Sequence, residues 1–129
     1  MKGMLIFAML MLATLAHAGD VEIVMVELHQ QSPDWRASVT LRHADTGWDH
    51  YADGWQVVTP DGKVLGHRTL YHPHVDEQPF TRSLSGINIP QGLNQVIVEA
   101  HDKVHGWSPQ RVTIDLTRDS GERYRIVRR

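Results

Sequence analysis

Apolar and polar positions alternate along most of this chain. The cleanest run is residues 35–43: Trp35, Ala37, Val39 and Leu41 share one side, and Arg36, Ser38, Thr40 and Arg42 share the other. Successive side chains of a strand point to opposite faces, so a period of two predicts a half-buried strand. Residues 21–28 are as apolar but keep no single phase. Val21, Ile23 and Met25 have one parity, and Val24, Val26 and Leu28 have the other. A strand covered on both faces, or one that changes sheets midway, reads this way.

Further strands are predicted at residues 55–59, 63–71, 81–89, 95–101 and 111–116. Ser85-Gly86 interrupts the third of these. Val96, Val98 and Ala100 share one side of the fourth; Val112, Ile114 and Leu116 point inward from the last. Turn chemistry separates them at Ser32-Pro33-Asp34, Asp45-Thr46-Gly47, Pro60-Asp61-Gly62 and Pro90-Gln91-Gly92. Residues 48–54 read as a polar, aromatic loop or short edge segment. No stretch carries a helical period. Seven short strands with turns between them predict an all-β fold, a single antiparallel β-sandwich.

The first eighteen residues stand outside this pattern. Met1-Lys2 precedes an apolar run from Leu5 to Leu15, and Ala16-His17-Ala18 is a small-x-small sequence ahead of Gly19. These are the three parts of a secretory signal peptide, with cleavage expected after Ala18. The run is shorter than the ~20 residues a membrane span needs, so no transmembrane span is expected in the mature chain. The expected location is periplasmic or secreted. The expected organisation is a signal peptide at 1–18, one sandwich at 19–117, and a basic C-terminal tail or edge strand at 118–129.

Charge and cysteine usage narrow the class. The 129 residues hold 13 Lys and Arg against 15 Asp and Glu, with no cysteine. Neither disulfides nor thiolate metal sites are available. A net acidic chain does not read as a nucleic-acid binder, whose face would be basic. Charge is uneven: Arg118, Arg123, Arg125, Arg128 and Arg129 face only Asp119 and Glu122 at the C-terminal end.

The ending resembles a known pattern. Val96-Ile97-Val98-Glu99-Ala100-His101-Asp102, Gly106 and Val112-Thr113-Ile114-Asp115-Leu116 resemble the last two strands of immunoglobulin-like and fibronectin type III-like domains of exported bacterial proteins. With its Asp-Gly-Trp, His-Pro-His, Glu-Gln-Pro-Phe-Thr-Arg-Ser-Leu and His-Gly-Trp stretches, the mature chain also looks like a group of small exported bacterial proteins. That similarity implies the sandwich fold and export, and brings no activity with it.

Histidine is the candidate for chemistry. Nine occur, eight of them after residue 18. Imidazole is the commonest protein ligand for metals at neutral pH. The stretch Tyr71-His72-Pro73-His74-Val75-Asp76-Glu77-Gln78-Pro79-Phe80 puts two imidazoles on either side of a proline, which biases His72 toward extended geometry. Residues i and i+2 of an extended segment project together. His72 and His74 are therefore expected ligands for zinc or copper(II), with Glu77 as a third, and His101 and His105 as a second pair. His29, His43 and His67 read as ordinary strand positions. A different use of the loops is also open. Trp48, His50, Tyr51 and Trp107 form an aromatic, polar set suited to stacking on a carbohydrate or a protein. A purely structural role for the loops is the third reading. Neither a nucleophile elbow, nor a His-Glu-x-x-His, nor a phosphate-cradling glycine loop occurs, so an enzyme is not expected. The sequence leaves partner and oligomeric state undetermined.

Overall fold

A computed structural model describes residues 19–128. The expected signal peptide lies outside the described residues. Ten strands form, and no helix occurs among the described residues. They are β1 (Glu22–Gln30), β2 (Trp35–Arg42), β3 (Ala52–Val58), β4 (Val64–Thr69), β5 (Phe80–Ile87), β6 (Gln95–Asp102), β7 (Gly106–Trp107), β8 (Val112–Asp115), β9 (Ser120–Gly121) and β10 (Tyr124–Val127).

Two sheets result. One runs β5-β2-β1-β10-β9; the other runs β4-β3-β6-β7, with β8 also paired to β6. The expectation of seven strands falls short because β7 and β9 are two-residue pairings with no period to read, and because β10 joins the sheet. The expectation of a purely antiparallel sandwich is also corrected. β10 pairs with β1 in parallel, Val26 opposite Tyr124 and His29 opposite Val127.

The mixed phase of residues 21–28 has a local cause. The β1–β2 register shifts between Ile23 and Met25. One extra residue there reverses which parity faces the core. Val21 and Ile23 are buried before the shift, Val26 and Leu28 after it, and Met25 is left exposed. The strand has one buried face throughout, rather than two covered faces.

The core lies between the sheets. Ile23, Val26, Leu28, Ala37, Val39, Leu41 and Phe80 of one sheet meet Trp55, Val57, Val96, Val98, Ala100 and Ile114 of the other. Trp55 is fully buried. Such burial is the main stabilising term in a cysteine-free chain.

Strand directions put four chain segments at one end of the sandwich. β2 and β6 end there, β3 and β5 begin there, and β4 runs toward it, because Leu41 pairs with Phe80, Ala52 with Asp102 and Gly54 with Thr69. Residues 43–51, 70–79 and 103–108, together with the stretch entering β1, therefore share that end. Every candidate residue named from the sequence lies there.

Candidate metal centre

The site grows out of the two cleanest inward rows. In β2, Trp35, Ala37, Val39 and Leu41 are buried, and the next residue of the same parity, His43, is buried too. In β6, Val96, Val98 and Ala100 are buried, followed by Asp102 at 0 % exposure. One row comes from each sheet, and each ends in an ionisable side chain. His43 Nε2 and Asp102 Oδ2 lie 3.9 Å apart.

The loops fix these groups in place. Asp102 makes an Asx turn: its Oδ1 accepts from the backbone N–H of Val104 and of His105, both at 2.8 Å. His105 Nδ1 is 3.2 Å from that oxygen, and His50 Nε2 is 3.3 Å from it. Burial, the largest influence, pushes the Asp102 carboxyl up. The N–H groups of His105 and Val104 and the rings of His105 and His43 outweigh it and hold the group below its ordinary 3.8. Asp102 is therefore a carboxylate at neutral pH.

Asp45 organises the other side. Its Oδ1 lies 2.5 Å from His43 Nδ1 and accepts from Ala52 N–H at 3.0 Å, while Oδ2 accepts from His74 N–H at 2.8 Å. A carboxylate on one ring nitrogen fixes the imidazole and turns the other nitrogen toward the site. The His43 and His50 rings meet edge to face, centroids 4.7 Å apart, and the His50 and His105 centroids are 5.0 Å apart.

His43, His50 and Asp102 each offer a donor atom within 4.8 Å of the others. Asp20, Asp102 and His105 form a second such group. Two atoms of the first group, His50 Nε2 and Asp102 Oδ2, are buried with no hydrogen-bond partner. Buried polar atoms are almost always paired, so two orphans side by side require an explanation.

The residues named from the sequence divide. His105 and His50 enter these groups. His101 does not, because it neighbours Asp102 on a strand and so faces the opposite side of the sheet. Its Nδ1 lies 2.5 Å from Asp53 Oδ1, and its ring meets Trp107 at 4.9 Å. The His72 and His74 rings do approach, centroids 4.6 Å apart. But His74 is 7 % exposed, stacks on Phe80, and has Nε2 2.8 Å from a guanidinium nitrogen of Arg82. That nitrogen accepts from Arg82, leaving the ring proton on Nδ1, which is buried without a partner. A cation beside Arg82 would meet like charge. Glu77 is exposed and lies 3.5 Å from Arg82. Trp48 packs edge-on to Tyr51 and is 64 % exposed; Trp107 is 43 % exposed.

Sequence reasoning reads His43 as an ordinary strand position and misses Asp20, Asp45 and Asp102 as site residues. For His43 and Asp102 the signal was present. Extending each inward row by one step lands on an ionisable residue.

Comparison with known proteins gives one informative match. The chain is similar to a protein of Halomicrobium mukohataei described as "Putative lipoprotein", 45% identical over 97 residues. The match takes in 73% of this chain and 47% of that protein, so the chain spans about half the length of its relative. No family model and no solved structure matches.

Proposed function

We propose that this chain is an exported, non-catalytic β-sandwich module that holds a transition-metal ion, zinc or copper(II), on His43, His50 and Asp102. One observation carries the reading: His43, His50 and Asp102 offer donor atoms within 4.8 Å of one another, and His50 Nε2 and Asp102 Oδ2 are buried without a hydrogen-bond partner. Two imidazoles and a carboxylate suit zinc or copper(II), and zinc–nitrogen bonds of about 2.0–2.1 Å require the donors to close in around the ion. The Asp45–His43 pair supplies the outer support such sites use. An immunoglobulin-like reading is supported by the grouping of β1, β2 and β5 against β3, β6 and β8, with β9 and β10 as additions. Export is supported by the leader-like residues 1–18 and by the relative's description as a lipoprotein.

Titration of the chelator-stripped protein with zinc tests the reading. Micromolar or tighter binding is expected, weakened at least about 100-fold by His50→Ala and unaffected by His72→Ala. Absence of binding, or equal binding by the His50 variant, overturns it. A second reading rests on exposed Trp48 and Trp107 at the same end: a surface for a carbohydrate or a protein partner. Quenching of tryptophan fluorescence by a glycan, lost in Trp48→Ala, would favour it.

A further inference from the structure

The segment entering β1 lies against the cluster. The Gly19 carbonyl is 2.7 Å from His43 Nε2, the nitrogen that faces Asp102. Gly19 has φ +130, and a Cβ there would collide with the His105 ring, so glycine alone fits. The next residue, Asp20, offers a carboxylate oxygen to the Asp102–His105 group. Two adjacent residues thus touch both donor groups, which share Asp102.

A conflict follows at His43. With Nδ1 held by the Asp45 carboxylate, Nε2 meets the Gly19 carbonyl only as an N–H donor. To ligate a metal, Nε2 must present its lone pair instead. A carbonyl and an ion cannot both occupy that position.

We propose that Gly19-Asp20 is a strap belonging to the metal site. Without metal, the Gly19 carbonyl caps His43. When a single ion binds, the His43 Nε2 proton is released to solvent, that carbonyl is displaced, and the Asp20 carboxylate joins His43, His50 and Asp102 on the ion, with His105 lining the closure. The inference rests on the metal reading above. It adds a carboxylate to the donor set and so assigns the site to a divalent ion taking mixed nitrogen and oxygen ligands, rather than to copper(I), which prefers soft sulfur.

Zinc titration of the full chain, with stoichiometry and affinity read by calorimetry, tests the strap. One ion per chain is expected. Asp20→Asn should weaken binding at least about tenfold, Gly19→Ala should weaken it by moving the strap off the His105 ring, and Asp34→Asn at the far end should not change it. Hydrogen exchange at residues 20–22 should slow when zinc is added. If the wild type binds one ion through His50 while Asp20→Asn and Gly19→Ala bind as tightly, the strap is overturned and the metal reading stands. Two ions per chain also overturn it, since Asp20 and His105 would then hold their own. Absence of zinc binding removes both.

Discussion

Two buried side chains contribute to the acid response. Burial, then the Arg82 guanidinium and then the His72 ring, lowers His74 from its ordinary 6.5. In the unfolded chain this ring takes up a proton near 6.5; in the folded chain it does so only at lower pH. Between those values the unfolded state binds more protons, so stability falls as pH drops below about 6.5. A His74→Gln variant should lose that slope between pH 7.5 and 5, as read from urea midpoints. Asp102 is also lowered, from its ordinary 3.8. Its depressed carboxyl contributes stability that is full above 3.8 and lost as pH falls below it. Asp102→Ala leaves two backbone N–H groups and the neighbouring rings without their acceptor. A loss of about 3 kcal/mol is expected in urea denaturation at pH 7.

The elements show how far period alone carries a prediction. The β2 and β6 rows were legible because each alternates without a break, and the site sits where those rows run on. β1 was legible as a strand but not as a one-faced strand, since a bulge leaves the same apolar residues and only changes their phase. The ten-residue loop before β5 was legible as stiff and histidine-rich. Its tertiary partner was not: Asp45, from another loop, takes the His74 N–H, and Arg82, from β5, takes the ring. That loop supports the site through Asp45 instead of forming it. The role of β10 was undecided because its arginines suit a free end as well as a strand. Arg125 pairs with Glu27, and Tyr124 and Ile126 are buried. Deleting residues 124–129 should remove at least about 4 kcal/mol. It should also uncover the edge of β1 and cause self-association visible by size-exclusion chromatography.

At the scale of the whole molecule, a metal held at the proposed site would be linked to folding. The donors come from the end of β6 and the loop between β2 and β3, so an unfolded chain offers no such arrangement. Zinc at 100 times its dissociation constant should stabilise the fold by about 2.7 kcal/mol, raising the melting temperature by roughly 10 °C in a domain of this size. Calorimetric scans with and without zinc check this, and His50→Ala should abolish the shift. The parallel pairing of β1 with β10 has a geometric consequence. Both strands run away from the cluster, and Val127 lies opposite His29, about seven residues, or ~23 Å, along β1 from Glu22. The molecule thus has two poles. Gly19 lies at the mouth of the site and the end of β10 at the other pole, so a reporter or affinity handle attached beyond β10 starts away from that mouth.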